Sequence, residues 1–270
     1  MTHGDEIAFN VRAHDRVSAA YEAIHGEIFN AVEQDRLRHA VARAVDGIQT
    51  GSSPTIALDF GCGTGNLTGH LLAFGLRVVS ADVATRFLDL VRERYGATGR
   101  LELLVLNGRD LRDVTNERFD FVAAYSVLHH IPDYLAAVEE LIRVTKPGGV
   151  VYLDHEVNDT YWSMPPVYAE WLEQAPKPTG RWRRFFRPQA YVRRVREFLN
   201  PRYQPEGDIH TWPDDHIEWH RIRALFLQHE FEILIEEDYL LYRAGYELEV
   251  YRHYSGRCAD MRLVAARKPR

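Results

Sequence analysis

The sequence predicts an α/β fold in which helices cover both faces of a mostly parallel, doubly wound sheet. Short apolar runs with the length of buried strands alternate with stretches of helical period over residues 55–157, which is typical of such a sheet. A turn with three alternate glycines follows the first of these runs. The length of 270 residues suffices for one domain of this class with attachments.

Seven apolar runs are predicted to be strands. Five lie in the first part of the chain and two near its end: Ile56–Phe60, Arg77–Ala81, Leu101–Leu106, Phe121–Tyr125, Val150–Leu153, Glu232–Tyr239 and Asp260–Ala266. Apolar residues spaced three and four apart predict helices between them. These helices are Asn66–Phe74, Thr85–Arg94, Tyr134–Thr145 and Asp214–His229.

Changes in composition divide the chain into four parts. Residues 1–52 have helical apolar spacing, which predicts an N-terminal helical cap, and residues 53–157 form the predicted core. Residues 158–215 hold eight of the twelve prolines and four of the five tryptophans. A regular sheet cannot absorb so many prolines, so we expect an insertion over the open end of the sheet. Residues 216–270 then supply a helix and the closing strands.

Net charge, hydropathy and cysteine count indicate which partners and which cellular compartment the protein has. The net charge of −6 disfavours a partner held by phosphate neutralisation, such as nucleic acid. No apolar run has the about 20 residues of a membrane span, and the first residues lack the basic and apolar regions of a signal peptide. With only two cysteines, a disulfide framework is not expected. These features predict a cytoplasmic protein.

The turn after the first predicted strand is the strongest motif. In the string Asp59-Phe60-Gly61-Cys62-Gly63-Thr64-Gly65, the glycines permit positive φ and close approach of the backbone to a ligand. A dinucleotide-binding turn would require glycine at position 66, which is Asn66. We interpret Cys62 as a small filler residue rather than a nucleophile.

This turn resembles the first motif of class I S-adenosylmethionine-dependent methyltransferases, and the similarity extends over residues 54–157. Asp82 ends the second strand, where the family places a carboxylate on the ribose hydroxyls. Asn107 ends the third strand, where the family often has an acidic residue beside the adenine. The segments Phe119 to Asp133 and Leu141 to Gly149 resemble the family's fourth strand and its turn into the fifth.

The resemblance implies a Rossmann-like sheet of seven strands with one antiparallel strand. It also implies S-adenosylmethionine as the cofactor and S-adenosylhomocysteine as the product. The residues that it assigns to cofactor binding are Tyr21, Asp59, Gly61, Cys62, Gly63, Gly65, Asp82, Val83, Asn107, Gly108 and Tyr125.

Ionisable residues follow the fourth and fifth predicted strands, at the edge where open α/β sheets bind ligands. His129-His130 follows the fourth strand, and Asp154-His155-Glu156 follows the fifth. A hydroxyl group is a poor nucleophile at neutral pH and needs a general base for methyl transfer. We predict His155 as this base, with Glu156 and His130 as the alternatives.

A metal site is left open by the sequence. Asp154 and Glu156 carry the oxygen ligands that suit Mg²⁺, which would bind adjacent hydroxyls of an acceptor. His216 and His220 lie four residues apart, but the glutamate between them does not stand where a zinc protease motif requires it. Zinc is therefore not expected.

Aromatic residues of the insertion predict an acceptor lid. Trp162, His210 and Trp212 are the candidate substrate-binding residues, because aromatic faces and polar groups together bind sugars. The strings His25 to Asn30 and Tyr125 to Tyr134 resemble actinobacterial sugar O-methyltransferases, including those of methylmannose polysaccharide. We expect O-methyl transfer to a small or oligomeric polyol, with a mannoside-like sugar favoured.

Two alternatives stay open. One is N- or C-methyl transfer to another small metabolite. The other, less favoured, is RNA methylation, which the seven arginines among aromatic residues over residues 181–196 suggest. The assembly is also open, with a homodimer as one candidate.

Overall fold

The computed structural model of the protein describes residues 25–176 and 216–270. Its strands are β1 (Ile56–Phe60), β2 (Arg77–Asp82), β3 (Leu101–Val105), β4 (Phe119–Tyr125), β5 (Thr145–Val157), β6 (Glu232–Tyr239) and β7 (Met261–Arg267). They form one sheet in the order β3-β2-β1-β4-β5-β7-β6. Strands β1 to β5 are mutually parallel, and β7 is antiparallel to both of its neighbours. The predicted seven-stranded sheet with one antiparallel strand is confirmed.

Helices lie on both faces of this sheet. Those described are α1 (Ala31–Val45), α2 (Asn66–Ala73), α3 (Thr85–Tyr95), α4 (Tyr134–Val144), α5 (Asp159–Ser163), α6 (Pro166–Gln174), α7 (Trp219–Gln228) and α8 (Leu248–Tyr254). Short 3₁₀ turns occur at Gly96–Thr98 and Leu128–His130. None of the helices in the described ranges has the length and apolar character that crossing a bilayer would demand.

The central strand β4 is buried along its whole length, as expected for a parallel strand covered on both faces. On one face, Leu141 of α4 and Phe226 of α7 pack against the sheet. On the other face, Leu37 of α1 and Leu71 of α2 do so. The sheet therefore lies between two apolar layers of helices. Loops, not helices, lie at the carboxyl ends of its parallel strands.

Helix α1 is the described part of the predicted N-terminal cap. Asn30 caps it by accepting the backbone N–H of Glu33 at 3.0 Å, which satisfies one of the free donors of the first turn. The buried positions Leu37, Val41 and Ala44 follow at helical spacing. The side-chain amide of Asn30 also donates to the carbonyl of Tyr242 at 3.1 Å, so the start of α1 is attached to the loop after β6.

Two predicted elements differ from the structure by more than two residues at an end. Strand β5 is longer than the predicted run because the segment Pro147-Gly148-Gly149 is contained within it, at a register shift against β4. Helix α7 begins at Trp219, not at Asp214. The backbone N–H of Glu218 donates to the Tyr134 hydroxyl at 3.0 Å, and residues 216–218 are not helical. Positions 214 and 215 lie outside the described residues.

The predicted insertion is described only over residues 158–176, which form α5 and α6. Helix α6 packs on α8 in an apolar cluster of its own that includes Tyr168, Trp171 and Tyr254. Residues 177–215, including the arginine-rich stretch, lie outside the described ranges. The four-part division of the chain stays a prediction.

The burial of α1 leads to a stability prediction. Leu37 is fully buried between α1 and the sheet, whereas Leu227 on α7 is 50% exposed. We expect Leu37→Ala to lower the free energy of unfolding by about 2–5 kcal/mol, because it removes buried contacts and leaves a cavity. Leu227→Ala, the matched control, should change it by less than about 0.5 kcal/mol. Urea denaturation of both variants measures this, and equal effects would contradict the packing of α1 on the sheet.

Candidate functional site

The glycine turn after β1 is shaped by close contacts on two sides. Gly61 has a φ of 70°, and a Cβ at this position would lie 2.3 Å from Cγ2 of Val127. Gly65 has a φ of 86°, and a Cβ there would lie 2.9 Å from Cγ2 of Val91. At Gly63, with a φ of 50°, a Cβ would meet no atom within 4 Å. Two glycines therefore permit packing of the turn, and the third faces open space.

Asp82, the last residue of β2, holds this turn from the neighbouring strand. Its carboxylate accepts the backbone N–H of Gly63 at 2.9 Å and that of Ala84 at 2.8 Å. The backbone N–H groups of Gly61 and Cys62 both donate to the carbonyl of Ala81, at 2.8 and 3.0 Å. The turn is thus fixed to the end of β2, with a buried carboxylate beside it.

A cleft opens at the carboxyl ends of β1, β2 and β4. Its wall combines the glycine turn, the end of β2, the loop after β3 and the segment after β4. The lining residues are Phe60, Gly61, Gly63, Asp82, Val83, Phe87, Leu106, Gly108, Arg109, Asp110, Leu111, Ser126, Val127, His130, Ile131, Pro132, Ala137 and Glu140. Apolar side chains from three loops and one buried carboxylate converge here.

A second, smaller pocket lies on the other side of the glycine turn and shares Gly61, Gly63 and Ser126 with the cleft. Its other lining residues are Ile28, Phe29, Asp59, Cys62, Thr64, Asn66, Leu67 and Tyr125. Burial raises the pKa of Asp59 to about 7, and the Thr68 hydroxyl donates to its carboxylate at 2.5 Å. Burial also raises the pKa of the Cys62 thiol well above its usual value, which disfavours the reactive thiolate.

Residues 58–153 match a protein family described as Methyltransferase domain, and this range contains the glycine turn, Asp82 and the segment after β4. Over these residues the chain is similar to a methyltransferase domain. Two curated relatives are ubiquinone biosynthesis O-methyltransferases. That of Alkalilimnicola ehrlichii is 32% identical over 144 residues, and that of Cereibacter sphaeroides is 32% identical over 145 residues. Each alignment covers 52% of this chain and only 58% of the relative.

Solved structures show the same fold over most of the chain. The N-methyltransferase NodS from Bradyrhizobium japonicum aligns with a TM-score of 0.54 at 15% identity, covering 90% of this chain and 99% of that one. A SAM-dependent methyltransferase from Methanosarcina mazei aligns with a TM-score of 0.52 at 19% identity, covering 81% and 94%. At these identities the likeness concerns the fold alone.

The structure brings most of the residues that the resemblance assigns to cofactor binding to the two pockets. Gly61, Gly63, Asp82, Val83 and Gly108 line the cleft, and Asp59, Cys62 and Tyr125 line the smaller pocket. Gly65 lines neither, because it is the N-cap of α2 and packs on α3. Tyr21 lies outside the described residues.

Asn107 stands beside the cleft without lining it. Its side-chain oxygen accepts the backbone N–H groups of Arg109 and Asp110, at 2.7 and 3.0 Å. Its side-chain amide donates to the Asp110 carboxylate at 3.1 Å. Asn107 therefore shapes the loop after β3 and leaves the cleft wall to the four residues that follow it.

At the end of β5, Asp154 belongs to a buried ionic network. Its carboxylate accepts Arg36 at 2.9 Å, the Tyr152 hydroxyl at 2.5 Å and the Tyr239 hydroxyl at 3.0 Å. Arg36 also pairs with Glu33, one turn earlier on α1, and burial raises the pKa of Glu33 to about 7 despite this pairing. The network joins α1 to β5 and β6.

The Mg²⁺ ligands expected from the sequence are engaged in other ways. The Asp154 carboxylate is occupied by Arg36 and two tyrosines, and the Glu156 carboxylate accepts three donors of the segment after β4. No group of three or more His, Cys, Asp or Glu side chains within residues 25–176 and 216–270 has the arrangement of a metal site. The structure does not support a magnesium site here.

His155 has an unusual environment for a histidine. It is 6% exposed, its backbone has a φ of 64°, and its ring packs on Tyr125 with 4.8 Å between the ring centroids. Neither ring nitrogen has a hydrogen-bond partner. Burial lowers the pKa of His155 to about 3, so the imidazole is neutral at physiological pH. A buried polar group without a partner is a candidate for ligand binding.

Glu156 and the two histidines after β4 form a connected group. The Glu156 carboxylate pairs with Nδ1 of His129 at 2.7 Å, and the rings of His129 and His130 lie 4.1 Å apart. His130 lines the cleft. The structure thus places all three expected catalytic residues, His130, His155 and Glu156, at the carboxyl ends of β4 and β5, but only His130 borders the cleft itself.

Of the expected substrate-binding residues, only Trp162 is described. It is 37% exposed on α5 and packs on Tyr161 and His216, with ring centroids at 5.1 and 5.5 Å. His210 and Trp212 lie outside the described ranges. Tyr161 and Trp162 lie on the helix that follows β5, at the same edge of the sheet as the cleft.

Several contributors to the site had no signal in the sequence. Arg36 and Glu33 lie more than 110 positions before Asp154, within an ordinary amphipathic helix. Leu106 and Leu111 line the cleft but resemble core residues in the sequence. Val127 and Ile131 also line it, and both lie in the string after β4 that resembles the family.

The burial of His155 leads to a pH prediction. An unfolded chain binds a proton at His155 below about pH 6.5, whereas the folded protein does so only near its lowered pKa of about 3. Stability from this residue is therefore complete above about pH 6.5 and is lost as the pH falls through this window.

We expect His155→Asn to remove this loss, because Asn tolerates the left-handed backbone. The unfolding free energy of the variant should improve relative to the wild type by about 1 kcal/mol for each pH unit below about 6. Denaturant titrations from about pH 7 to about pH 4 measure the difference. The raised pKa values of Glu33 and Asp59 act on both proteins alike, so a difference that is constant with pH would contradict the assignment.

Proposed function

We propose that the protein transfers the methyl group of S-adenosylmethionine to a hydroxyl oxygen of a small acceptor. The observation that supports the proposal is the environment of His155, a buried neutral imidazole in which neither ring nitrogen has a hydrogen-bond partner. It lies at the carboxyl edge of the sheet, where the glycine turn also lies. A neutral imidazole accepts a hydrogen bond, and a reacting hydroxyl must donate one. An amine acceptor would need no such group.

The lining of the two pockets supports S-adenosylmethionine as the cofactor. The space beside Gly63 admits a ligand against the backbone, and the Asp82 carboxylate lines the cleft wall, where ribose hydroxyls would donate to it. In the smaller pocket, Oγ1 of Thr64 and Nδ2 of Asn66 are buried without hydrogen-bond partners. These atoms suit the charged methionine end, while Val83, Leu106 and Leu111 suit the adenine.

The chemistry is an in-line displacement in which alignment supplies much of the rate. The cofactor, when bound, supplies the methyl group, whose bond to sulfur breaks as the bond to the acceptor oxygen forms. His155 would accept the hydroxyl proton. The carboxylate of Asp154 holds the backbone N–H of His155 at 2.7 Å, which keeps the imidazole in its left-handed position.

For the acceptor, we propose a small hydroxyl compound of the cytoplasm, with a mannoside-like sugar or its oligomer favoured. Trp162, Tyr161 and His216 offer aromatic faces with Asp159 beside them, since Nε2 of His216 lies 3.4 Å from the Asp159 carboxylate. Such faces stack on sugars and on flat rings alike. The names of the curated relatives favour oxygen as the methylated atom and a ubiquinone precursor as the competing acceptor.

The ribose assignment can be tested on binding alone. We expect Asp82→Ala to weaken S-adenosylhomocysteine binding by at least about tenfold, because two charge-assisted hydrogen bonds are lost and the turn at Gly63 loses its anchor. Asp89→Ala is the matched control, since Asp89 is an exposed carboxylate on α3 paired only with Arg92 in the described contacts. Titration calorimetry measures both. Unchanged affinity in Asp82→Ala would refute the assignment.

The reaction class can be tested with labelled S-adenosylmethionine and three acceptors: a mannose oligosaccharide, a catechol and a primary amine. We expect label on one of the hydroxyl acceptors. His155→Asn should lower kcat for it by about 100-fold or more while leaving S-adenosylhomocysteine affinity within about twofold. Methylation of the amine alone, with full activity in His155→Asn, would replace the proposal with N-methyl transfer.

A further inference from the structure

Gln34 of α1 connects two walls of the smaller pocket. Ile28, from the segment before α1, and Asn66, the first residue of α2, both line this pocket. The side-chain amide of Gln34 donates to the carbonyl of Ile28 at 3.0 Å and to Oδ1 of Asn66 at 2.9 Å. The side-chain oxygen of Gln34 pairs with Nε2 of His70 at 2.9 Å. Both amide hydrogens and the oxygen of Gln34 are thus engaged.

These contacts determine which way each polar group faces. A backbone carbonyl can only accept, so the Gln34 atom beside Ile28 must be the nitrogen. The same nitrogen contacts Asn66, so the Asn66 atom that meets it must be the oxygen. Nδ2 of Asn66 then faces away from Gln34, and it is buried without a hydrogen-bond partner among the described residues. His70 must carry a proton at Nε2, because the Gln34 oxygen accepts it.

A second donor lies in the same pocket. Thr64 is only 3% exposed, and its Oγ1 has no hydrogen-bond partner in the part of the chain that the structure describes. Helix α2 begins at Asn66, and the start of a helix carries a partial positive charge. Two buried donors at such a helix end favour an anion. The only anionic group of S-adenosylmethionine is the carboxylate of its methionine end.

We propose that Gln34 is a positioning residue that orients Asn66 so that the Asn66 amide donates to the carboxylate of the cofactor. Helix α1 thereby acts on cofactor binding through Asn66, although Gln34 lines neither of the two pockets described above. The proposal rests on the cofactor of the proposed function and is independent of which atom is methylated. It follows that Gln34 affects the binding of those ligands that have this carboxylate.

Two ligands separate this effect from a general structural role. S-adenosylhomocysteine has the carboxylate, whereas 5′-methylthioadenosine retains the adenosine and the sulfur but has neither the carboxylate nor the amino group. Asn66→Ala removes the donor. Gln34→Glu places a carboxylate beside Asn66, and because a carboxylate can only accept, Asn66 would turn Nδ2 toward it and its oxygen toward the ligand.

The experiment is titration calorimetry with both ligands, so it needs no acceptor. We expect Asn66→Ala and Gln34→Glu each to lower S-adenosylhomocysteine affinity at least about tenfold and to leave 5′-methylthioadenosine affinity within about threefold. Gln174→Glu is the matched control, because the Gln174 amide donates to Glu170 at 3.0 Å on the exposed surface of α6. This control should leave both affinities within about twofold.

A double variant tests whether Gln34 acts through Asn66. In the Asn66→Ala background, Gln34→Glu should lower S-adenosylhomocysteine affinity by less than about threefold further, because the group that it reorients is gone. An undiminished effect in that background would overturn the proposal, as would equal losses for the two ligands or unchanged S-adenosylhomocysteine affinity in Asn66→Ala.

Two further measurements decide the matter if Gln34→Glu does not fold. Asn66→Asp still accepts from Gln34, and its carboxylate is favourable at the start of α2. It should lower S-adenosylhomocysteine affinity about 30-fold or more and spare 5′-methylthioadenosine. Nitrogen NMR of the wild type should show His70 protonated at Nε2, with His70→Asn identifying its signals. A ring protonated at Nδ1 alone would mean that the Gln34 amide is reversed, and would contradict the proposal.

The outcomes distinguish this proposal from the proposed function. If the wild type binds neither ligand, the cofactor assignment fails, and the role of Gln34 fails with it. If the wild type binds S-adenosylhomocysteine but methylates only an amine, the proposed O-methyl transfer fails. The selective loss of S-adenosylhomocysteine binding in Asn66→Ala and Gln34→Glu would then still establish the role of Gln34.

Discussion

The site depends on how three consecutive ionisable residues are kept out of water at the end of β5. Leu153 pairs with Val264 and Glu156 with Arg262, so β5 contains one residue more than β7 over this stretch. Such a bulge redirects side chains, and the left-handed backbone of His155 lies within it. As a result, Asp154 faces the network of Arg36, Glu156 faces the segment after β4, and His155 is left between them without a partner.

The proposed cofactor and acceptor sites share one wall. The segment after β4 touches the glycine turn through Val127 and is held from β5 through Glu156. The Arg36 network attaches α1 to the same end of β5, with Tyr125 donating to Glu33 at 3.2 Å. Movement of α1 or of this segment would thus change the shape of both pockets.

The match to the methyltransferase family has a clear limit in the chain. The matched methyltransferase family ends at residue 153, directly before Asp154, His155 and Glu156. The family therefore covers the glycine turn, Asp82 and the segment after β4, which we propose for cofactor binding. The residues that we propose for the acceptor lie beyond it, as does Trp162. This division agrees with the general observation that one fold hosts many substrates through its loops.

The sheet, the order of its elements and the glycine turn follow from the amino-acid sequence alone. Buried parallel strands are continuous apolar runs, and the turn needs glycines at fixed spacing, so both patterns are local. The ends of β1 and β6 and the starts of α2, α3 and α4 were predicted to the residue for this reason. The roles of Asp154 and Glu156 could not be predicted from the residues next to them in the sequence. Both read as metal ligands or catalytic groups because their partners, Arg36 and His129, lie 118 and 27 positions away. Only the packing of α1 and of the segment after β4 against the end of β5 decided which carboxylate pairs with which cation or donor, and which histidine was left unpaired.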